Sequence, residues 1–475
     1  MHAPAHAHQH DGTRRPWAAL ILLSVAQFMV VLDITVVNVA LPSIGRDLGI
    51  AGADLQWVVT IYVLLTGGLL LLGGRIADVL ARRAVFLTGL SLFTAASLLS
   101  GLAESGGMLI ASRAAQGIGA ALLTPAALSI VTSYYTGAQR AKALGAWSAI
   151  ASAGAAVGAV LGGVLTTWLS WEWIFLVNVP IGLTAGVLTL RVLPAMSSAA
   201  VTRALDLPGA LLVVSGLVVL VYAIDGAADH GWGSARTLLL GGLALALVAA
   251  FARVEARSRQ PLVPPAIWRV RSLIGSAAVL LGVTGILVGT FFLNSLYLQG
   301  VIGASALETG LGFLPLAVAI GMSAHFASAA MPRTGSRVLV AVGLALTAAG
   351  ALGLAAAPDR AGYAVDILPG LLAIGFGLGL VFPGVSVTAL SRIEHHQAGL
   401  AAGVLSTAHE IGAALGVAVL AAVAAIGDAT SAIDIAAGYE DGFIAAAGIA
   451  LALAAVTITA VPSVKPEGTA RAMAQ

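Results

Sequence analysis

The sequence contains no cysteine, and only 9% of its 475 residues are charged. The absence of cysteine excludes disulfides and thiol chemistry, and it leaves the redox compartment undetermined. Soluble domains carry about 25% charged residues, whereas this chain is 59% hydrophobic and has a mean hydropathy of +1.00. Because only 6% of the residues are aromatic, composition does not argue for an aromatic cage around a quaternary amine. The composition predicts an all-α polytopic membrane protein.

The sequence also lacks the motifs of several enzyme classes. It has no P-loop, so ATP is not expected as an energy source, and it has no zinc-type ligand spacing and no G-x-S-x-G elbow. We therefore expect no enzymatic activity, no metal, no cofactor and no nucleic-acid partner. No connection between apolar segments is long enough to fold as a soluble signalling domain, which argues against a non-transporting sensor.

Fourteen apolar segments are each long enough to cross a bilayer, for which about 20 residues suffice. Their approximate spans are 17–41, 55–74, 84–103, 107–131, 143–167, 171–191, 207–226, 235–254, 272–298, 308–330, 335–356, 364–390, 398–425 and 442–462. Lys and Arg are concentrated in alternate loops, and acids such as Asp359 and Asp441 lie in the others. The positive-inside rule then predicts a multi-pass cell-membrane protein with both termini cytoplasmic.

A sequence repeat relates the two halves of the chain at a constant offset of 258 residues (375 − 117 and 383 − 125, for example). The matched pairs are Gly117 with Gly375, Gly119 with Gly377, Pro125 with Pro383, Gly145 with Gly403, Gly154 with Gly412 and Gly158 with Gly416. The pairs join segments 4 and 5 to segments 10 and 11, which predicts two six-helix bundles in the same orientation with two inserted helices. Transporters built from such halves hold substrate between them and alternate access.

These divisions give five predicted parts. They are a disordered cytoplasmic N-terminus at 1–16, a first bundle at 17–191, the inserted helices at 192–260, a second bundle at 261–462 and a cytoplasmic tail at 463–475. We expect the protein to be monomeric.

Asp33 is the only charged residue in the first apolar segment. A carboxylate inside a membrane helix costs roughly 2.5–3.5 kcal/mol on insertion scales, so such a residue is functional by default. At ~1.5 Å per residue, Asp33 lies roughly 24 Å from the cytoplasmic surface, and Arg113 in the fourth segment roughly 9 Å below the opposite surface. The two residues are therefore expected at comparable depth.

We interpret Asp33 as a protonation or cation-binding site and Arg113 as the group that biases its proton affinity or relays the proton. A nearby guanidinium favours the ionised carboxylate and desolvation favours the neutral acid, so protons and substrate would compete for one charge. The alternative is a static ion pair that fixes the first helix against the fourth.

Glu410 is a second acid within an apolar segment, about 18 Å from the cytoplasmic end of its helix and close to the midplane. By the repeat offset it matches Ser152. A second acid would allow two protons per cycle or recognition of a dicationic substrate. The alternative is a carboxylic acid kept protonated and hydrogen-bonded.

Further polar and aromatic residues would contact substrate in an apolar cavity, or would instead form packing contacts and hydrogen bonds between helices. With Asp33 and Glu410, the predicted substrate-binding set comprises Asn38, Tyr62, Asn294 and Phe382, and Gln56 and Asn178 are additional candidates.

Four stretches of the chain match signatures of a known family. They are "LDITVVNVALP" (Leu32 to Pro42), "GRIADVLARR" (Gly74 to Arg83), "RAAQGIGAA" (Arg113 to Ala121) and "WEWIFLVNVPIG" (Trp171 to Gly182). Together and in this order they resemble the fourteen-helix branch of drug:proton antiporters in the major facilitator superfamily. The resemblance implies the major facilitator fold, with two six-helix bundles and two inserted helices, and the proton-coupled export of amphipathic, cationic drugs or toxic metabolites. We expect Asp33 to be the coupling carboxylate of such an exporter. The implied partners are a small-molecule substrate, protons and the lipid bilayer.

The resemblance also implies a conformational latch between the second and third helices. Its residues are Gly74, Asp78, Arg82 and Arg83, although Val79 and Ala81 stand where the family usually has Arg and Gly. With Asp78 and two arginines retained, a charge latch is still expected, with fewer donors.

An antiporter motif in the fifth helix is implied in the same way. Its glycines are Gly145, Gly154, Gly158, Gly162 and Gly163. Ala159 replaces the family's proline, and because proline removes a backbone donor and kinks a helix, the fifth helix is expected to be straighter. The family associates this motif with exchange, so a uniporter or symporter of a small metabolite with the same fold is the alternative.

Overall fold

The computed structural model describes residues 16–50, 52–135, 137–193, 206–258, 261–264, 266–358, 361–394, 397–424 and 432–465. Most of the predicted N-terminal part (1–16) and most of the predicted C-terminal tail (463–475) lie outside these ranges. The side chain of Ser152 is not among those that the structure describes, so its equivalence with Glu410 stays a prediction.

The first bundle consists of eight helical pieces, two of which are single turns that begin a longer helix. They are α1 (Pro16–Leu48), α2 (Gly52–Leu55), α3 (Trp57–Val79), α4 (Arg82–Gly101), α5 (Gly106–Tyr134), α6 (Gly137–Trp168), α7 (Trp173–Leu176) and α8 (Asn178–Val192). The N-terminus of α5 is capped by Ser105, whose side chain accepts from the Met108 main-chain N–H at 3.3 Å, as expected for serine at this position.

Two inserted helices and the second bundle follow. The inserted pair is α9 (Leu207–His230) and α10 (Ala235–Arg257), and a 3₁₀ turn (Ile267–Arg269) leads into the bundle. The bundle comprises α11 (Arg271–Gly300), α12 (Ala306–Gly312), α13 (Leu314–Thr334), α14 (Ser336–Ala355), a π turn (Tyr363–Ile367), α15 (Leu368–Leu390), α16 (Ala398–Val423) and α17 (Ala432–Ala460).

The described residues form helices and no strands, which confirms the predicted all-α class. Thirteen helical segments among them are long and apolar enough to cross a membrane. The remaining predicted segment, 143–167, lies in α6, a helix of 32 residues in which Ala156–Trp168 forms a shorter apolar stretch.

Several helices extend beyond their predicted spans. α1 continues through Pro42 to Leu48, α3 continues to Val79, and α17 begins at Ala432 rather than near residue 442. Hydropathy underestimates these helices because they leave the apolar layer with polar residues in their last or first turns. In α17 the early acid Asp434 lies at a helix N-terminus, where negative charge is favourable.

The two bundles use the same packing at positions matched by the repeat. A Cβ on Gly119 of α5 would lie 2.7 Å from the Phe93 main-chain nitrogen of α4, and a Cβ on Gly377 of α15 would lie 2.8 Å from the Thr347 main-chain nitrogen of α14. Glycine at both positions lets two helices approach backbone to backbone. The contact between α4 and α5 in the first bundle is therefore repeated between α14 and α15 in the second bundle.

The bundles meet mainly along three helix pairs. We call the end with Asp47, Glu308 and Asp434 the acidic end, and the end with Arg82 and Arg337 the basic end. At the acidic end α1 packs on α11 and α6 packs on α12, while α3 packs on α16 along the seam between the bundles. α9 contacts both α3 and α16, so this inserted helix covers the seam, whereas α10 packs on α9.

Candidate functional site

Asp33 of α1 and Arg113 of α5 form an ion pair inside the first bundle. Arg113 Nη1 donates to Asp33 Oδ2, and both side chains are 0% exposed. The expectation of comparable depth is therefore confirmed as a direct contact. A buried pair of this kind ties its two helices together, because removal of one partner leaves an uncompensated charge.

Two amide side chains complete the surroundings of the carboxylate. Gln116 Nε2 donates to Asp33 Oδ1 at 3.2 Å, and Asn178 Nδ2 of α8 donates to the same oxygen at 3.3 Å. Asp33 thus accepts from three side chains on two other helices. An ionised carboxylate has only acceptors to offer, whereas a protonated one presents an O–H donor. Protonation of Asp33 would therefore force at least one of these donors to find another acceptor.

Arg113 is held on several sides. Its Nε donates to the Val58 carbonyl at 2.9 Å, and its guanidinium carbon lies 4.2 Å from the centre of the Tyr62 ring and 5.6 Å from that of Phe175. The Nη2 atom is buried and has no hydrogen-bond partner among the residues that the structure describes. These contacts fix the cation by aromatic faces and leave one donor available for a ligand or a water molecule.

Gln116 is a functional candidate that the sequence analysis missed. It accepts from Arg113 Nη1 at 2.9 Å and donates to Ser97 Oγ of α4 at 2.7 Å, and it is 0% exposed. Gln116 follows Arg113 by three residues, a spacing that places both side chains on one face of a helix. That spacing was the available signal in the sequence.

Tyr62 and Asn38, two predicted substrate contacts, are both buried. Tyr62 donates from its hydroxyl to the Val30 carbonyl at 3.2 Å while its ring faces Arg113. Asn38 donates to the Ile34 carbonyl of its own helix at 2.8 Å, and its Oδ1 atom has no hydrogen-bond partner within the described ranges. Tyr62 therefore belongs to the ion-pair network, and a substrate role for either residue stays a prediction.

The predicted contacts of the second bundle lie apart from this network. Asn294 Oδ1 accepts from the Tyr439 hydroxyl at 2.9 Å, and its Nδ2 donates to the Thr290 carbonyl at 2.9 Å. Phe382 is partly buried against the hydrophobic core. Hydrogen bonds within the second bundle thus account for Asn294, and its contact with substrate is not tested by the structure.

Glu410 lies on α16 where this helix meets α3. A Cβ on Gly67 of α3 would lie 2.5 Å from Glu410 Cβ, and Glu410 Oε2 is buried without a hydrogen-bond partner in the described part of the chain. The adjacent His409 faces a different neighbour, with its Nδ1 atom 3.1 Å from Thr284 Oγ1 of α11. Glu410 is therefore a seam residue with an unsatisfied oxygen, and His409 is not its partner.

The predicted latch lies at the basic end, between α3 and α4. Asp78 is exposed. Arg83 donates to two main-chain carbonyls, that of Leu193 at 2.8 Å and that of Leu190 at 3.1 Å. Arg83 thereby ties α4 to α8. A latch that involves Gly74, Asp78 and Arg82 remains a prediction.

The glycines of the antiporter motif allow close approach on two sides of α6. A Cβ on Gly158 would lie 3.1 Å from the Leu32 carbonyl oxygen of α1, and one on Gly162 would lie 2.9 Å from the Val36 carbonyl oxygen. A Cβ on Gly163 would lie 2.6 Å from the Ala306 carbonyl oxygen of α12, in the other bundle. The Ala159 carbonyl group also faces α12, at Gly310.

Comparisons with known proteins place the chain in a family. The model of the Major Facilitator Superfamily matches residues 23–417. The chain is 43% identical over 413 residues to the puromycin resistance protein pur8 of Streptomyces alboniger, a match that covers 86% of this chain and 81% of that protein. It is 43% identical over 450 residues to the cephamycin export protein CmcT of Amycolatopsis lactamdurans, covering 92% and 91% of the two chains.

Solved structures agree on the fold. A peptide transporter of the POT type in complex with sulfate superposes with a TM-score of 0.67 at 18% identity, covering 92% of this chain and 94% of that chain. A bacterial homologue of the human lysosomal transporter Spinster, in an inward-facing conformation, gives a TM-score of 0.64 at 18% identity and covers 94% and 97% of the two chains. With thirteen helices able to cross a bilayer and a family match over most of its length, the chain is a multi-pass cell-membrane protein that belongs to the major facilitator superfamily of transporters.

Proposed function

We propose that this protein exports amphipathic, cationic drugs or toxic metabolites in exchange for protons, with Asp33 as the coupling carboxylate. The main support is the fully buried contact of Asp33 with Arg113, Gln116 and Asn178. Two relatives are named for resistance to an antibiotic or for its export, which supports export as the direction of transport.

The network suggests how a proton would alter the protein. Ionised Asp33 satisfies donors from α5 and α8, so it holds three helices of the first bundle together. Protonation replaces an acceptor by a donor and loosens these contacts. We infer that protons enter from the acidic end and leave towards the basic end, which we expect to face the cytoplasm. Movement of one charge across 100 mV supplies about 2.3 kcal/mol, enough for roughly a fiftyfold substrate gradient.

Glu410 is proposed as a second proton or substrate site. Its unpartnered oxygen lies at the α3–α16 seam, and an unpaired buried carboxyl is costly unless it is protonated or meets a cation. Asn38, Tyr62, Asn294 and Phe382 are proposed as further substrate contacts. We expect a single chain to contain the complete site.

Exchange in liposomes tests this function. The purified chain would be reconstituted with a pH-sensitive dye inside, and ethidium or puromycin would be added under an imposed proton gradient. The control is Glu104→Gln, which changes an exposed loop acid. In wild type and in this control, protons should cross the liposome membrane in the direction opposite to the compound. In Asp33→Asn they should not. Full exchange by Asp33→Asn would overturn the role of Asp33.

The alternative is a uniporter or symporter of a small metabolite. Ala159 retains the main-chain N–H that the family's proline lacks, and it is buried at the contact with α12. Substrate movement by wild type with no counterflow of protons in the same liposomes would favour this alternative over antiport.

A further inference from the structure

Pro42 leaves one main-chain carbonyl of α1 without its helical partner. In an α-helix the carbonyl of residue 38 accepts from the N–H of residue 42, and proline has no N–H. Pro42 lies inside α1, which continues to Leu48. The Asn38 carbonyl therefore needs a donor from elsewhere, since a buried carbonyl without a partner is costly.

The donor comes from the other bundle. Ser295 of α11 is 0% exposed, and its Oγ donates to the Asn38 carbonyl at 2.6 Å. Gln299, one turn later on α11, donates from Nε2 to the Val39 carbonyl at 2.9 Å and to Ser295 Oγ at 3.3 Å. Two side chains of the second bundle thus bind two consecutive carbonyls of the first.

We propose that Ser295, supported by Gln299, closes the transport path at the acidic end by binding the carbonyl that Pro42 leaves free. Alternating access requires the bundles to separate at one end while they meet at the other, so this hydrogen bond breaks when the acidic end opens. Water then replaces Ser295 at the Asn38 carbonyl, because Pro42 lacks the N–H that would otherwise bind this carbonyl within α1. The helical partner is missing in both states, and the acceptor is always ready to bind Ser295 again.

The gate also lies on the helix that carries the proposed coupling carboxylate. Asn38 follows Asp33 by five residues, a rise of about 7.5 Å along α1. A shift of α1 that follows loosening of the Asp33 contacts would therefore move the Asn38 carbonyl relative to Ser295. This link rests on the proposed function, whereas the gate itself requires neither a proton nor a named substrate.

Distances between spin labels test the gate. Because the chain has no cysteine, nitroxide pairs can be placed at Leu169→Cys with Ile433→Cys for the acidic end and at Leu80→Cys with Leu390→Cys for the basic end, all at exposed positions. Ser295→Ala should lengthen the distances at the acidic end and shorten those at the basic end. A hydrogen bond of ordinary net strength corresponds to a change of about fivefold in the ratio of closed to open molecules.

The control is Ser323→Ala, which removes an equally buried hydroxyl that bonds to the Ala319 carbonyl of its own helix and should leave both distributions unchanged. Wild-type distributions in Ser295→Ala at both ends would overturn the gate. Lengthening at one end without the reciprocal change would indicate local loosening and would overturn it as well.

Pro42→Ala tests the origin of the free carbonyl. Alanine restores the N–H that competes for the Asn38 carbonyl, so this variant should also favour the open acidic end. When Pro42→Ala is combined with Ser295→Ala, the shift should be smaller than the sum of the single shifts, because both changes act on one acceptor. Additive shifts would overturn the role of Pro42. These readouts need no transport, so failure of proton exchange in liposomes would leave the gate standing and refute only the proposed function.

Discussion

The charged side chains of the Asp33 network depend on a partner more strongly than the amide side chains do. Asp33 and Arg113 are both 0% exposed, and each is tolerated in an apolar bundle only because the other is present. Gln116 and Asn178 add hydrogen bonds from amide groups, which carry no charge and are less costly to bury. The sequence identified the two charges from their position in apolar segments. Its signals for the two amides were weaker: Asn178 was one of several candidate contacts and Gln116 was marked only by its spacing from Arg113, since Asn and Gln in membrane helices usually bond to neighbouring helices.

The free energy of unfolding should reveal this dependence. Asp33→Ala leaves Arg113 buried and unpaired, so we expect a loss of about 3–5 kcal/mol, measured by denaturant unfolding in detergent. The double variant with Arg113→Leu should lose less than the sum of the single variants, because no uncompensated charge remains. Losses that simply add would contradict a direct energetic coupling.

At the scale of helices, small residues decide which elements approach closely. In α6, Gly158 and Gly162 face carbonyl groups of α1, while Gly163 faces α12. For Gly145 of the same motif, no atom of the described residues lies within 4 Å of the position where a Cβ would be. The motif therefore contains glycines with different structural requirements, and their spacing in the sequence does not distinguish them.

Alanine substitutions separate the two kinds of glycine. Gly158→Ala should lower stability by about 1–3 kcal/mol, because the added methyl group collides with Leu32 and Thr35 of α1. Gly145→Ala should be neutral or stabilising by up to about 1 kcal/mol, since alanine has the higher helix propensity. Thermal unfolding of the two variants in one detergent provides the comparison. Equal losses of stability would show that the close packing of α1 on α6 is not what requires glycine at position 158.

The inserted helices are attached by specific polar contacts. Asp225 of α9 accepts from Gln56 Nε2 and, at 3.0 Å, from Trp57 Nε1, so the first inserted helix is bonded to the first bundle beside the seam. We expect Asp225→Leu to cost about 1.5–3 kcal/mol of stability, the range for hydrogen bonds to charged groups. The exposed neighbour Asp229 is the control, and Asp229→Leu should change the unfolding midpoint little.

At the scale of the whole molecule, the two ends differ in charge. Arginines such as Arg82 and Arg337 lie at one end, and acids such as Asp47 and Glu308 lie at the other. In membrane proteins such a bias sets the orientation. The halves meet at the acidic end through α1 with α11 and α6 with α12, so the end that we expect to face outward is the closed one.

Accessibility of introduced cysteines checks this orientation. Trp232→Cys, in the exposed loop between α9 and α10, should react with a membrane-impermeant maleimide on intact cells. Leu80→Cys, at the basic end, should react only after permeabilisation. The reverse pattern would place the termini outside and would require the proposed direction of proton flow to be reversed.

The sequence by itself determined the helical class, most helix positions, the two-bundle repeat, the buried charges Asp33 and Arg113, and the partly buried Glu410. These features are legible because the bilayer selects residues one at a time: an apolar run predicts a span, and a charge within it is conspicuous. Only the tertiary structure decided that Gln116 and Asn178 bind Asp33, that α9 covers the α3–α16 seam, and that Ser295 takes the Asn38 carbonyl. Those contacts join residues from 83 to 257 positions apart, and they depend on how closely helix backbones approach, which no local pattern specifies.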